Sequence, residues 1–118
     1  MGKSIADAVL DGALNVVKTC TRMDVTSDVG TPADLVNSLA NVAMVPASDY
    51  TIADGTSGRK ITTAQKTGVP VTGNGTAKHI VLSLDGVIKL VTTCTDQVLT
   101  SGNTVTIPAF VEQIADPT

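Results

Sequence analysis

Residues 79–93 read HIVLSLDGVIKLVTT, in which two largely apolar runs flank the dipeptide Asp85-Gly86. Asp-Gly between such runs is the strongest short-range signal for a β-hairpin with a two-residue turn. The stretch therefore predicts a hairpin of two antiparallel strands, running from His79 to Leu84 and from Val87 to Thr93.

The predicted pairing places apolar side chains on both faces of this hairpin. A two-residue turn pairs Leu84 with Val87, and it also pairs Leu82 with Lys89. Both faces are then largely apolar, which is typical of strands that are covered on both sides. One face holds Ile80, Leu82, Leu84, Val87 and Val91, and the other holds Val81, Ile88 and Leu90.

The composition of the whole chain also favours β structure. Thr, Val and Ile supply 41 of the 118 residues, whereas Tyr50 and Phe110 are the only aromatic residues. β-Branched side chains fit a pleated sheet better than a helix. The length suits one domain, which at this size buries roughly two thirds of the surface of its unfolded chain. We therefore expect a single domain over residues 1–118.

Residues 4–18 depart from this composition and predict an amphipathic helix. Apolar residues recur there at helical spacing, and Leu10 and Leu14 widen the apolar stripe. Ser4 is expected to cap the first turn, with Asp7 three residues later as in a capping box. The stripe consists of Ile5, Ala8, Val9, Gly12, Ala13, Val16 and Val17.

Residues 19–45 give weaker signals. Alternation of polar and apolar residues from Thr19 to Val25 predicts a strand that ends in a turn-rich segment. Thr31 to Asp34 resembles the start of a helix, and a short helix or helical turn through Leu35, Leu39 and Val42 is expected, stopped by Pro46. A strand over residues 42–45 is the alternative.

Strands separated by turns are predicted over the remainder. The short run 69–72 contains Pro70, which indicates an edge strand. Together with the helix, the pattern predicts a mainly β (α+β) fold, a β-sandwich of antiparallel strands with an N-terminal amphipathic helix packed on it. Besides the hairpin, the predicted strands are Asp49–Ala53, Arg59–Ala64, Val69–Thr72, Thr104–Ile107 and Phe110–Ile114.

Charge and composition exclude several functions. The net charge of -3 offers no basic patch for nucleic acid, and two aromatic residues cannot form a base-stacking platform. No apolar run approaches the roughly 18 residues needed to cross a membrane. Asp7 and Asp11 interrupt the apolar core that a secretory signal requires. Only 16% of the residues are charged, which argues against disorder.

No combination of residues predicts catalysis, a cofactor or a metal site. His79 is the single histidine, and no nucleophile stands in a recognisable pattern with it, so we interpret it as structural. Residues 73–78 (GNGTAK) lack the ending of a phosphate loop and precede a strand, so they are interpreted as a turn. Asp54-Gly55-Thr56 does not have the spacing of a calcium loop. We therefore expect no enzyme and no cofactor.

Cys20 and Cys94 each stand between two threonines, on segments predicted to be strands. Two cysteines and one distant histidine cannot supply the four ligands of a structural zinc site. Free thiols, an intrachain disulfide and disulfides between subunits all remain open. Synthesis in the cytosol favours free thiols.

Four segments, in this order, carry a resemblance to a known family: residues 6–14 (ADAVLDGAL), 49–60 (DYTIADGTSGRK), 75–79 (GTAKH) and 91–110. Their order resembles that of small uncharacterised proteins encoded by tailed bacteriophages and prophages and assigned to the virion. The resemblance covers nearly the whole chain, but it consists of turn and strand residues. It therefore indicates a fold family more strongly than a biochemical task.

This resemblance implies a structural role in the virion, assembled in the host cytoplasm. The expected function is that of a capsid decoration or cement protein, and a tail, neck or fibre-attachment protein is the alternative. A small adhesion or carbohydrate-binding module is a more distant alternative, because aromatic residues are too few to stack on sugars. The mean hydropathy of +0.26 suggests apolar surface available for interfaces.

The expected partners are the major capsid protein or other virion proteins, together with copies of the chain itself as a homo-oligomer. Neither nucleic acid nor a membrane is expected as a partner. Strand edges and two loops are the expected contact regions. The loop residues are Asp54, Gly55, Thr56, Ser57 and Gly58 in the first loop and Gly73, Asn74 and Gly75 in the second.

Overall fold

The fold is known from a computed structural model that describes residues 6–27 and 38–115. Within these residues, one helix precedes nine strands. The elements are α1 (Asp7–Lys18), β1 (Arg22–Thr26), β2 (Ser38–Ala43), β3 (Tyr50–Asp54), β4 (Arg59–Thr63), β5 (Lys66–Pro70), β6 (Gly75–Leu84), β7 (Val87–Leu99), β8 (Thr104–Ile107) and β9 (Phe110–Ile114).

The described strands form three antiparallel sheets. The first has the order β2-β1-β6-β7, the second β3-β4-β9, and the third consists of β5 and β8. An isolated bridge between Ala40 and Val71 joins the first sheet to the third. The helix packs against β3 and β4 of the second sheet and against β7 of the first. The predicted mainly β, sandwich-like fold with an N-terminal helix on the sheets is confirmed.

The hairpin is formed by β6 and β7, and its turn is the predicted one. Asp85 and Gly86 both have positive φ, at 50° and 81°, as a type I′ turn requires. Leu84 pairs with Val87 as expected. The hairpin is longer than predicted, because β6 begins at Gly75 and β7 ends at Leu99.

The predicted register of the hairpin is wrong beyond the second pair, Ser83 with Ile88, which still follows the two-residue turn. Leu82 pairs with Leu90 and not with Lys89, because β7 contains a bulge at this point. The extra residue moves Leu90 to the face of Leu82, and it moves Val91 to the face of Val81. One inserted residue therefore exchanges the faces assigned to both side chains.

The two strands of the hairpin differ in burial. β6 lies between β1 and β7, and Val81 and Leu82, which point to opposite faces, are both fully buried. β7 lies at the edge of the sheet and is largely exposed or half-buried. The expectation of two covered faces therefore holds for β6 only.

The helix differs from its prediction in its start and in its buried face. It begins at Asp7, and Ala6 occupies the cap position without a side-chain hydrogen bond. The predicted cap Ser4 lies outside the described residues. Leu10 and Leu14 are the buried side chains, whereas Val9, from the predicted stripe, is 62% exposed. The two leucines offer more apolar surface to bury than the Ala and Val residues of that stripe.

Residues 19–45 require two corrections. The first strand begins at Arg22, so Cys20 lies between α1 and β1 and not on a strand. The helical turn predicted to continue through Leu39 and Val42 is wrong where it is described, because Ser38–Ala43 is the strand β2. Its predicted start at Thr31 lies outside the described residues. The alternative strand over 42–45 overlaps β2 by only two residues.

Most of the later strands lie close to their predicted bounds. β8 and β9 have the predicted bounds, and β3 and β4 differ from theirs by one residue at one or both ends. The strand predicted over 69–72 overlaps β5 (Lys66–Pro70) by only two residues, because the strand begins and ends earlier in the chain. Pro70 lies in a two-stranded sheet, in agreement with the predicted edge.

The core lies between the three sheets and the helix. It joins side chains from all of them into one cluster of buried residues. The largest fully buried apolar side chains are Met23, Ile61, Leu82, Ile107, Val69 and Val81.

Candidate functional site

The loop Asp54–Gly58 connects β3 to β4 and is held by hydrogen bonds within the chain. The Gly55 N–H donates to the Gly58 carbonyl oxygen at 3.1 Å, and the Thr56 N–H donates to Oε1 of Gln113 at 2.9 Å. Gly58 has a positive φ of 72°, which favours glycine. These contacts give the loop a fixed shape without a partner protein.

Arg59 joins this loop to the helix. Its Nε lies 2.7 Å from Oδ1 of Asp11, and its Nη1 lies 2.7 Å from Oδ1 of Asp54. The hydrogen bonds to Asp11 and then to Asp54 raise the pKa of the Arg59 guanidinium. Because the charges around this loop are paired within the chain, we interpret the cluster as a structural link between α1 and β4.

The second predicted loop, Gly73 to Gly75, packs against a different part of the molecule. The Ser101 N–H donates to Oδ1 of Asn74 at 2.8 Å, and the Gly73 N–H donates to the Leu39 carbonyl oxygen at 3.2 Å. The loop therefore lies beside the turn that connects β7 to β8. The two predicted contact loops therefore contact different parts of the molecule. The first is hydrogen-bonded to β9 and linked to α1 through Arg59, whereas the second contacts the β7–β8 turn.

The second loop lies in one of two neighbouring segments that contain no charged residue. The sequence has no Asp, Glu, Lys or Arg from 67 to 77 or from 97 to 109. β5 and β8 pair within these segments, with Val69 opposite Val105. The Val71 N–H also donates to the Asn103 carbonyl oxygen at 2.9 Å. We name residues 67–77 and 97–109 the charge-free end.

Many side chains of the charge-free end are exposed. They are small and polar or small and apolar, and the strand Thr104–Ile107 alternates exposed threonines with buried Val105 and Ile107. The most exposed large apolar side chain is that of Val98, which is 75% exposed. The exposed set includes Thr67, Pro70, Thr72, Asn74, Val98, Thr100, Ser101, Asn103, Thr104, Thr106 and Pro108.

A cavity of about 140 Å³ lies between the first sheet and β8, beside the charge-free end. It is partly open to solvent, and most of its wall is apolar. Thr95, Gln97 and Thr106 supply polar atoms to the wall. The apolar lining comes from Val25, Ala77, Ile80, Val105, Ile107 and Pro108, together with the thiol of Cys94.

The two cysteines are free thiols in the structure. Cys20 is fully buried, and Cys94 is half-buried on β7. Burial raises the pKa of both thiols, and the nearby Asp96 adds to the effect at Cys94. Thiols with raised pKa values are poor nucleophiles, because the thiolate is the reactive form.

A polar cluster that the sequence analysis missed lies on one face of β1 and β6. Asp24 is fully buried, and it accepts hydrogen bonds from Arg22 and from the Ser38 hydroxyl, the latter at 2.6 Å. Thr26 pairs with His79 on the same face. Three buried polar atoms lack a partner within the described residues, namely Thr26 Oγ1, His79 Nδ1 and Ser83 Oγ.

This cluster does not assemble a recognisable catalytic group. Within residues 6–27 and 38–115, no three His, Cys, Asp or Glu side chains approach closely enough to hold a metal ion. His79 has no hydrogen bond to Nδ1 there, so no residue orients it as a general base. We interpret Arg22, Asp24 and Ser38 as a structural network.

The charge-free end is therefore the described feature best suited to a function. Its lack of charge can be read from the sequence, since 24 of the 118 residues fall in two uncharged segments. The cavity could not be predicted, because its wall combines residues from four strands and the segment after β8.

Comparison with known proteins identifies no relative: no protein-family model, curated protein or solved structure matches the chain. In the described part of the chain, no helix has the length and apolar character needed to cross a membrane.

Proposed function

We propose that the protein is a structural component of a bacteriophage virion, and specifically a decoration or cement protein of the head shell. The observation that carries this proposal is the charge-free end, whose exposed side chains are all uncharged. The resemblance of the sequence to small virion proteins supplies the biological context.

A surface of this kind suits protein–protein contact. The centres of interfaces are depleted of charged residues, because burying a charge costs its hydration. The charge-free end contains a fifth of the residues of a chain whose accessible surface is 6406 Å². A standard interface buries roughly 800 Å² of each partner, which is about an eighth of that total.

The proposed mechanism is stabilisation by mass action. Each copy binds neighbouring subunits of the assembled shell and not the same subunits before assembly. Binding to the assembled state alone lowers its free energy, and the effect grows with the concentration of the ligand relative to its dissociation constant. The protein then needs a stable fold and a complementary surface, without any catalytic group.

The loop Asp54–Gly58 has a smaller part in this proposal than the charge-free end. Its charges are paired within the chain, with Asp54 bound to Arg59 at 2.7 Å. The loop Gly73–Gly75 lies within the charge-free end and is proposed as a contact region. The partners are the major capsid protein and copies of the chain itself.

The proposal is tested on purified particles that have been stripped of the protein. Antibody-labelled protein added back is expected to decorate the head shell, and the restored particles are expected to release their DNA at a higher temperature. Labelling of the tail or neck would replace the decoration role by the tail, neck or fibre-attachment alternative. Absence of labelling anywhere on the particle would overturn both.

A matched pair of variants tests the role of the charge-free end. Thr106→Lys adds a charge to an exposed threonine of β8, and Thr51→Lys adds one to an exposed threonine of β3. Thr106→Lys is expected to weaken shell binding by at least about tenfold, equivalent to 1.4 kcal/mol. Thr51→Lys is expected to bind normally. Equal binding by both variants would contradict the proposed contact surface.

A further inference from the structure

Asn74 lies in the charge-free end and is the one asparagine of the chain that precedes a glycine. The backbone nitrogen that follows an asparagine can attack the amide carbon of its side chain. Glycine has no side chain to hinder this close approach. The local sequence therefore favours an intramolecular reaction at Asn74. The other asparagines are Asn15, Asn37, Asn41 and Asn103, which precede Val, Ser, Val and Thr.

The structure leaves the Asn74 side chain accessible. Asn74 is exposed and lies in the loop immediately before β6. Gly75 is the first residue of β6, and the ends of an element open more readily than its middle. Asn15 and Asn41 are also exposed, but they lie inside α1 and β2, where the regular structure restrains the backbone that follows them.

A backbone N–H contacts the oxygen on which charge develops during this reaction. The Ser101 N–H donates to Oδ1 of Asn74 at 2.8 Å. When the Gly75 nitrogen attacks Cγ of Asn74, the tetrahedral intermediate carries its negative charge on this Oδ1. A donor at such an oxygen stabilises the intermediate, as in an oxyanion hole.

The turn between β7 and β8 fixes the position of this donor. The Asn103 N–H donates to the Thr100 carbonyl oxygen at 3.2 Å, and Gly102 has a positive φ of 95°. These are the features of a type II turn with Ser101 at its second position. The Gly102 N–H also donates to the Val71 carbonyl oxygen at 3.0 Å. The donor is therefore held in place before the reaction begins.

We propose that Asn74 is a site of spontaneous deamidation, with the Ser101 N–H as the donor to the reacting amide. The Gly75 nitrogen loses its proton and bonds to Cγ of Asn74, the C–N bond of the side-chain amide breaks, and ammonia leaves with that proton. One water molecule then opens the resulting succinimide and gives an aspartate or an isoaspartate. The net reaction consumes one water and releases one ammonia, and no oxidant or reductant takes part.

Either product places a negative charge in the charge-free end, which contains none before the reaction. A charge that is buried in an interface loses its hydration. Copies that have reacted are therefore expected to bind the shell less tightly than fresh copies. This consequence rests on the proposed function, because it takes the charge-free end as the surface that binds the shell. The modification itself does not.

The reaction is followed on the purified full chain, incubated at pH 7 and sampled over time by mass spectrometry. Trypsin places Asn74 in the peptide 67–78 and Asn103 in the peptide 90–118. Both side chains are exposed, and the β-branched Thr104 hinders attack after Asn103. Conversion of amide to acid is expected to be at least about tenfold faster at Asn74 than at Asn103. Equal rates at the two positions would overturn the inference.

A pair of variants tests the role of the donor. Ser101→Pro removes the N–H and suits the second position of the turn, where proline is common. It is expected to slow the reaction at Asn74 by at least about tenfold. Ser101→Ala keeps the N–H and is expected to react like the wild type, and urea unfolding checks that both variants fold. A rate at Asn74 that is unchanged or higher in Ser101→Pro would overturn the role of the donor.

The consequence for assembly is tested with Asn74→Asp, which carries the charge of the reacted chain. It is expected to bind the shell at least about tenfold more weakly than the wild type. Asn15→Asp adds the same charge at an exposed position of α1 and is expected to bind normally. Equal binding by Asn74→Asp and the wild type would overturn this consequence. Failure of the wild type to label the shell would instead contradict the proposed function, whereas the rate at Asn74 is measured on the isolated chain.

Discussion

Arg22 and Asp24 lie two residues apart on β1 and form a two-pronged ion pair. Nε and Nη2 of Arg22 each donate to a different oxygen of Asp24 at 2.8 Å. The Asp24 side chain is fully buried, whereas that of Arg22 is 46% exposed. Arg22 therefore brings a positive charge from the surface to a carboxylate that has no access to water.

Replacing Arg22 by Ala is expected to destabilise the protein by about 3 kcal/mol, because Asp24 remains buried without its partner. This is the lower end of the cost of breaking a buried pair, since Arg22 itself is half exposed. The measurement is urea unfolding at pH 7. Lys78→Ala, which breaks the exposed pair with Asp96 at 2.9 Å, is the control and is expected to cost less than about 1 kcal/mol.

The double variant Arg22→Ala, Asp24→Asn separates the charge from the packing. It removes the buried charge and leaves an amide that can still accept the Ser38 hydrogen bond. We expect it to be more stable than Arg22→Ala alone, with a coupling of at least about 1 kcal/mol. Additive effects of the two changes would show that the two charges do not interact in the folded protein.

Tyr50 connects the start of β3 to the segment that precedes β1. Its hydroxyl donates to the Cys20 carbonyl oxygen at 2.9 Å, and the side chain is 4% exposed. Tyr50→Phe leaves this carbonyl oxygen without a donor in a buried site and is expected to cost about 1–2 kcal/mol. Urea unfolding at pH 7 checks this. A stability equal to that of the wild type would mean that water replaces the hydroxyl.

Tyr50 is also expected to contribute to a loss of stability in alkali. Burial, with the nearby Cys20 and Asp49 adding to it, raises the pKa of the Tyr50 hydroxyl. Burial also raises the pKa of the Cys20 thiol. Unfolding then releases protons once the pH exceeds the ordinary values, about 8.5 for Cys and 10 for Tyr. The stabilisation from these raised pKa values is therefore fully present below the ordinary values. It is lost as the pH rises from the ordinary values through the raised ones.

Tyr50→Phe removes the tyrosine part of that loss. Between pH 9.5 and 11, the free energy of unfolding of Tyr50→Phe is expected to fall less steeply than that of the wild type. The measurement is urea unfolding under a reducing agent at each pH. Equal slopes for the two proteins would contradict the burial of an un-ionised phenol.

Asp49 is expected to contribute stability that is lost in acid. Its Oδ2 accepts from the Val45 N–H at 2.6 Å and from Lys66 Nζ at 2.9 Å. The Val45 hydrogen bond, followed by the bond to Lys66, lowers the pKa of the Asp49 carboxyl below its usual 3.8. The stability from this shift is present above that value and is lost as the pH falls through the lowered pKa.

Asp49→Asn tests the acid contribution. The difference in unfolding free energy between the wild type and Asp49→Asn is expected to be largest at pH 6 and to shrink between pH 4 and pH 2. A difference that stays constant over this range would show that the charge of Asp49 does not contribute.

The sequence predicted those parts of the fold that depend on local chemistry. Asp85-Gly86 determined the turn of the hairpin, and Pro70 indicated an edge strand. The bulge at Lys89 was not predicted, because the two-residue turn was taken to set the register of the whole hairpin. Leu10 was assigned only to the margin of the helical stripe, although tertiary packing buries it and leaves Val9 exposed.

The candidate site was predicted in part. The loop Gly73–Gly75 lies within the charge-free end, whereas the loop Asp54–Gly58 is occupied by contacts within the chain. The cavity depends on β1, β6, β7 and β8 together, and no local pattern predicts such a juxtaposition. The network of Arg22, Asp24 and Ser38 likewise joins residues that are distant in sequence.

The most direct test of the central claim is an electron cryomicroscopy reconstruction of the intact phage particle to which we propose that this chain belongs. We expect repeated copies on the head shell, with residues 67–77 and 97–109 buried against neighbouring subunits. Absence of the chain from the particle, or copies whose charge-free end faces solvent, would contradict it.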